Sequence, residues 1–315
     1  MVETQLNEGL KAVEEALVGL IDTDVQTLND ASLHIITSGG KRVRPQVAFL
    51  AYMAAGGTDV LDVVNAAAAV ELVHTASLVH DDINDHSALR RGKISVHARW
   101  GRTFALLTGD YMFAKVYQMM TPYNRAANKV MSQAAVTLVE GETLQADAAK
   151  RGELDRETYK RVIERKTASL FKASAELGGI IAGADEQTIH LLGEYGQRLG
   201  MTFQLTDDIL DLIGDPEEMG KPAGLDMAQN RGVAAVNDNG NGVAGVAIAA
   251  PVDVDSQDPL AAMMQKLRES GAVEIARVQA DRMAELAREA LYQLPPSESR
   301  NRLDGIIDTV LDRTK

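Results

Sequence analysis

Residues Val60 to Asp85 read VLDVVNAAAAVELVHTASLVHDDIND, and the fold turns on them. Stepping by three or four residues picks out Val63, Ala67, Val70, His74, Ser77, Asp81 and Asp85 on one helical face. The stripe is apolar at one end, small and polar in the middle, and acidic at the other. A face that only filled a core would not finish in paired acids, because an unpaired buried carboxylate is costly. A crevice with an apolar floor and a charged rim fits the gradient better. Asp81 and Asp85 stand at i, i+4 with Asp82 beside them. Like charges at that spacing weaken a helix by about 0.2–0.5 kcal/mol unless a cation compensates.

A second stretch, FQLTDDILD over residues 203–211, repeats the arrangement with Gln204, Asp207, Asp208 and Asp211. Mg2+ takes one or two carboxylates and completes its octahedron with water and phosphate oxygens. Two acidic helix ends with a diphosphate between them suit that ion. Basic stretches alternate with the acidic ones. Gly39-Gly40-Lys41-Arg42-Val43-Arg44-Pro45 gathers cations in a glycine-led turn, where they oppose the dipole of the helix that follows. They read as a phosphate grip. Arg90-Arg91-Gly92 follows the first acidic stretch and Lys221-Pro222 the second.

The 315 residues carry a formal charge of -13, which argues against an electropositive nucleic-acid surface. With no cysteine, disulfides, thiolate metal ligands and cysteine nucleophiles are excluded. The N-terminal MVETQLNEGLKAVEEAL lacks the apolar block of a signal peptide. The longest apolar run, Gly242 to Val252, is short of the roughly 20 residues a bilayer requires. The expectation is a cytoplasmic protein with no transmembrane segment.

Helical periodicity dominates, with segments near 3–20, 44–55, 60–85, 96–120, 124–149, 156–177, 187–213, 259–292 (broken near Gly271) and 298–313. Gly56-Gly57, Thr121-Pro122, Gly178-Gly179 and Pro295-Pro296 punctuate them. Residues 232–257, rich in Gly, Asn, Asp and Val, read as an irregular loop. The reading is an all-α, single-domain helical bundle.

GGKRVRP, the block HTASLVHDDIND with RRGK after it, ERKTASLF, and FQLTDDILD followed by GKPAGLD occur in that order. Together they resemble the trans-isoprenyl diphosphate synthases, closely over residues 5 to 230 and loosely beyond. The resemblance implies the isoprenoid-synthase fold around a central active-site cavity, and Mg2+-dependent, head-to-tail condensation of isopentenyl diphosphate with an allylic prenyl diphosphate by a homodimer. It implies that Lys41, Arg44, His74 and Arg91 bind the diphosphate of isopentenyl diphosphate. Asp81, Asp85 and Asp207, with Asp82, Asp208 and Asp211 nearby, would hold Mg2+ on the allylic diphosphate. Arg90, Lys166 and Lys221 would complete that site, and Thr167 and Gln204 would turn oxygens toward the developing allylic cation. Arg313-Thr314-Lys315 resembles a basic tail that closes over the site in some members.

The chain departs from the family pattern at Asn230-Arg231-Gly232, where Arg231 stands for the usual lysine, and Val233 and Ala235 stand for Thr and Pro. Lys93-Ile94-Ser95 replaces a Pro-Thr turn. Short-chain members place an aromatic residue four or five positions before the first aspartate. Here those positions are Ser77 and Ala76, with Val73 and Val70 a turn deeper. The expected product is an all-trans polyprenyl diphosphate of C20 or longer, with Phe113, Tyr117 or Met120 at the floor. A terpene cyclase shares the fold but needs no second diphosphate site. A non-catalytic or weakly active subunit of a heteromeric synthase, or a short-chain C15 synthase, stands as the alternative.

Overall fold

In the computed structural model the described residues are 1–213 and 271–314. Lys221, Arg231, the expected loop at 232–257 and the start of the expected 259–292 helix lie outside them. The elements in chain order are α1 (Val2–Leu20), α2 (Gln26–Ile36), α3 (Val43–Ala54), a 3-10 turn (Val60–Val63) and α4 (Val64–Asn84). A small hairpin of β1 (Leu89–Arg90) and β2 (Lys93–Ile94) follows, then α5 (Val96–Trp100), α6 (Arg102–Met120), α7 (Arg125–Arg151) and α8 (Arg156–Ile163). A π-helical turn (Glu164–Ala168) leads into α9 (Ser169–Ile181) and α10 (Glu186–Ile213). After the undescribed residues come α11 (Ala272–Leu291) and α12 (Glu298–Leu311). The fold is all-α, as the periodicity implies.

Two compact units can be distinguished. The first comprises Met1–Ala135, Leu170–Gly196 and Ala290–Leu303, the second Val136–Ser169, Gln197–Glu289 and Asp304–Lys315. In the first, α4 is buried almost all round, and Ala66, Ala67, Ala68 and Ala69 are essentially inaccessible. A helix apolar on every side belongs at the centre of its unit. By length and composition Val60–Asn84 would also pass for a membrane span, but 78% of its apolar window is buried within the protein, which marks a core helix. Its main partner, α6, runs antiparallel to it. At one end Tyr123 Oη donates to Asp62 O (2.9 Å) and accepts from Ala66 N (3.1 Å). At the other, His80 Nε2 lies 3.2 Å from Leu106 O, over Gly109, where a side chain would collide with the imidazole.

The second unit packs Ala148, Leu154, Tyr159, Ile163, Ala168, Met201, Leu205 and Ala280 into one cluster. Asp155 starts α8 by accepting from Thr158 N at 2.7 Å, which satisfies one of the donors that a helix start leaves open. That cap fixes where Tyr159 enters the core.

The structure corrects several boundaries. α2 is absent from the periodic segments because its buried side is Ala31, Ser32, Ile35 and Ile36, half of it too small or polar to show as a stripe. Gly101, at φ 86°, divides the expected 96–120 helix. Gly178-Gly179 is not a break but lies inside α9. A Cβ on Gly178 would sit 2.6 Å from Ala48 O and 2.7 Å from Tyr52 N, so glycine there lets α9 approach α3 closely.

Candidate active site

In the first unit the glycine-led turn is locked by the protein's own groups. Arg42 adopts left-handed φ (47°) at the start of α3, and its guanidinium is buried. Nε donates to Glu14 (2.5 Å), Nη1 to Glu71 (2.9 Å), and Nη2 to Glu14 (3.1 Å) and Ile36 O (3.0 Å). Burial works against the charged form, but Glu14 and Glu71 outweigh it and raise the Arg42 pKa. Arg42 is therefore a structural cation that fixes the turn, not a phosphate donor. It holds Lys41 exposed on one side of the turn and Arg44 buried on the other, the latter 4.7 Å over the Phe171 ring.

The hairpin presents the next basic pair. Its register, Leu89 to Ile94 and Arg90 to Lys93, leaves Arg91 and Gly92 as a two-residue loop with positive φ at both (52° and 74°). A type I′ turn demands that geometry, and placing an arginine there is strained. The strain aims Arg91 at the other basic turn, where its guanidinium donates to Gly39 O. A Cβ on Gly40 would lie 2.9 Å from that guanidinium, so the close approach requires glycine. Lys93 Nζ to Thr37 O (3.1 Å) and His34 Nε2 to Ile94 O (2.7 Å) tie the hairpin to α2 and the residue after it.

His74, midway along α4, feels both turns. Part of its surface is accessible, yet close packing, then Arg44, Arg91, Arg90 and Arg42, push its imidazole well below the ordinary 6.5. It is neutral at pH 7 and lies within the field of the arginines an anion would meet. Further along α4, Asp81 and Asp85 are half-buried, with Asp85 N donating to Asp81 O at 2.8 Å. Asp82 is fully buried, and its Oδ1 accepts from Arg90 Nε (2.8 Å) and Nη2 (2.5 Å). Burial raises the Asp82 carboxyl, and Arg90 pulls it back.

In the second unit the π turn carries Lys166 and Thr167. A π turn inserts one residue into a helix, which re-aims side chains and recurs at functional sites. Gly141 makes room for it, since a Cβ there would lie 2.5 Å from Lys166 N. Lys166 Nζ reaches Glu142 (2.8 Å) and Gln145 Oε1 (3.0 Å). Thr167 Oγ1 donates to Gln204 Oε1 (2.7 Å), Gln204 Nε2 to Asp208 Oδ1 (2.7 Å), and Tyr159 Oη to Asp208 Oδ2 (2.6 Å). Arg313 Nη1 lies 2.6 Å from Asp207 Oδ1, its guanidinium 5.2 Å from the Phe203 ring. Asp211 is buried.

Arg44, His74, Arg90 and Arg91 thus share one electrostatic neighbourhood in the first unit, and Thr167, Gln204 and Asp208 one hydrogen-bonded chain in the second. Sequence reasoning missed Glu14, Glu71, Glu142, Gln145 and Tyr159. Only Glu71 left a signal, as a lone acid in an apolar helix three residues before His74. A charge placed there demands a partner.

The described residues gather no set of three or more His, Asp or Glu that would cage a cation alone. Mg2+ takes few carboxylates and completes its shell with phosphate and water oxygens. Asp81 and Asp85, half-buried at i, i+4, are donors of the right hardness and number.

The model for polyprenyl synthetases matches residues 25–238. The chain belongs to the polyprenyl synthetase family. It is 38% identical over 303 residues to the heptaprenyl diphosphate synthase component 2 of Geobacillus stearothermophilus, covering 95% of this chain and 93% of that one. It is 34% identical over 313 residues to the octaprenyl diphosphate synthase of Escherichia coli K12, covering 98% and 97%. In fold this synthetase is similar to the crystal structure of a polyprenyl synthase from Caulobacter crescentus CB15 complexed with calcium and isoprenyl diphosphate, with a TM-score of 0.89, 30% identity, and coverage of 100% and 98%. The polyprenyl synthetase match takes in every site residue named above except Glu14 and Arg313.

Proposed function

We propose that this polyprenyl synthetase condenses isopentenyl diphosphate head-to-tail with an allylic prenyl diphosphate in a Mg2+-dependent reaction, and works as a homodimer. The observation that carries this reading is His74. It is a neutral imidazole within the field of Arg44, Arg90 and Arg91, on the same helix that ends in Asp81 and Asp85. Neutral His74 donates a hydrogen bond without adding charge, while Lys41, Arg44 and Arg91 supply the cations for the isopentenyl diphosphate. Mg2+, held by Asp81 and Asp85, would neutralise the departing allylic diphosphate, and Asp207 is a further carboxylate with the hardness that ion prefers. Lys166 supports that leaving group, with Lys221 and Arg231 as further cations. Thr167 and Gln204 turn oxygen lone pairs toward the allylic cation. The double bond of isopentenyl diphosphate attacks that cation and a proton leaves, so no side-chain nucleophile is required.

The product is an all-trans chain of C20 or longer. Ala76, Val73, Val70 and Ser77 are buried and small or medium in size, so no aromatic ring narrows this face of α4. Phe113, half-buried 6.0 Å from His80, and buried Met120 support a floor on α6. Tyr117 does not, because it is 75% exposed. Instead Tyr117, Phe104, Leu106 and Leu107 leave α6 with exposed apolar groups, which supports the homodimer. A second reading, a subunit that needs a different partner chain, draws on the relative described as a component of its synthase.

The test is purified protein with Mg2+, isopentenyl diphosphate and geranyl, farnesyl or geranylgeranyl diphosphate, with product length read by chromatography. Elongation by the chain alone supports the proposal. No product from any primer refutes it and favours the subunit reading. Ala76→Phe should shorten the product by at least one five-carbon unit, and an unchanged length would disprove the tunnel along α4.

A further inference from the structure

Asp208 is the second acid of the D-D-I-L-D stretch and is 4% exposed. Each of its oxygens already accepts from a neutral donor, Oδ2 from Tyr159 Oη at 2.6 Å and Oδ1 from Gln204 Nε2 at 2.7 Å. A carboxylate only accepts, so it decides which end of the Gln204 amide faces it. The nitrogen must turn to Asp208, and Oε1 is left toward Thr167. There it takes the only hydroxyl proton of Thr167, at 2.7 Å. With that proton committed, Thr167 has lone pairs alone to offer any further group.

We infer that Asp208 and Tyr159 are positioning residues rather than part of the cation-holding set. Together they fix the Gln204 amide so that Gln204 and Thr167 present oxygens, not protons, to the reacting allylic carbon. This rests on the elongation reading above. An electron-deficient allylic carbon is stabilised by oxygen dipoles aimed at it and destabilised by N–H groups in the same place. Tyr159 matters because its hydroxyl, 49 residues away in sequence, anchors one oxygen of Asp208 and so sets the plane of the carboxylate. The wiring also explains why the acids of this stretch differ in role. Asp207, one residue earlier, meets the cation of Arg313, and Asp208 accepts from Tyr159 and Gln204.

Asp208→Asn provides the test. Its amide would accept from Tyr159 and donate toward Gln204, which rewards rotating the Gln204 amide and turns Nε2 to Thr167. Steady-state elongation by the full chain should then show kcat about tenfold to a hundredfold lower, equivalent to one or two lost oriented hydrogen bonds. KM for both diphosphates should stay within about twofold. Tyr159→Phe should lower kcat in the same direction by a smaller factor. Calorimetric titration of Mg2+ in the presence of inorganic diphosphate should give Asp208→Asn an affinity near that of the parent, while Asp207→Asn binds more weakly. The Gln204 side-chain amide resonance, assigned by its loss in Gln204→Glu, should move in both variants whether or not the enzyme turns over. Three results would each overturn the assignment: Mg2+ affinity lost in Asp208→Asn as in Asp207→Asn, kcat unchanged in Asp208→Asn, or a Gln204 resonance that stays put. A parent protein that makes no product, with the resonance still moving, would count against elongation and for the hydrogen-bonded chain.

Discussion

The acidic stretches at residues 81–85 and 207–211 share a spacing, yet each is wired into its own unit differently. In the first, the middle acid Asp82 is fully buried against the Arg90 guanidinium, and Arg90 belongs to the hairpin that also carries Arg91. In the second, the middle acid Asp208 is buried against the neutral donors Tyr159 and Gln204. Successive residues on a helix point about 100° apart, so in each stretch the first acid stays partly accessible while the second turns into the core, and in the second stretch Asp211 is buried as well. The middle acid must then find partners. The first unit uses a charge, which couples its acidic end to the hairpin that carries Arg90 and Arg91. The second uses hydrogen bonds, which couple its acidic end to the oxygens of Gln204 and Thr167.

The largest expected effect tests the likeness between the stretches. Asp81→Asn and Asp207→Asn should each lower kcat/KM for elongation by about a thousandfold, the scale of losing a main electrostatic contact to a departing anion. Steady-state kinetics at saturating Mg2+ would show it, and a loss confined to one stretch would end the idea that both hold the metal. Next comes the difference between the middle acids. Asp82→Asn should cost about 1–3 kcal/mol in urea unfolding, because it leaves the half-buried Arg90 without its charge partner. It should also raise KM for isopentenyl diphosphate as the hairpin loosens, an effect not expected of Asp208→Asn.

His74 gives a smaller, pH-dependent effect. Its imidazole lies well below 6.5 in the folded protein, from burial and then the neighbouring arginines. Below about 6.5 the unfolded chain therefore binds a proton that the folded chain refuses. His74 should cost up to about 1.4 kcal/mol of stability per pH unit as pH falls below that value, and nothing above it. His74→Gln should remove that component, seen as a shallower fall of urea stability on the acid side. Smallest of all, Arg313→Gln removes the cation beside Asp207 and should tighten Mg2+ binding about twofold, as expected for a partly exposed pair. Weaker binding would show that Arg313 assists the site instead of competing within it.

Much of this site was legible because the information was local. The i, i+4 spacing of Asp81 and Asp85, the glycine-led turn before α3, and the apolar run of α4 are short-range patterns set by helix and turn geometry. What they left unread were partners supplied from far along the chain. Arg42 looked like a phosphate donor until Glu14 and Glu71 were found around it. Gly178-Gly179 looked like a break until α3 was found against it. Nothing near Lys166 announced a π turn, since that depends on the room Gly141 leaves.

The sequence by itself determined an all-α chain with two acidic helix stretches and basic turns alternating with them, because periodicity and turn chemistry act within a few residues. Only the tertiary structure decided which acids face outward and which are spent inside. A side chain's role depends on what is packed beside it, and for Asp208 that neighbour, Tyr159, lies 49 residues away.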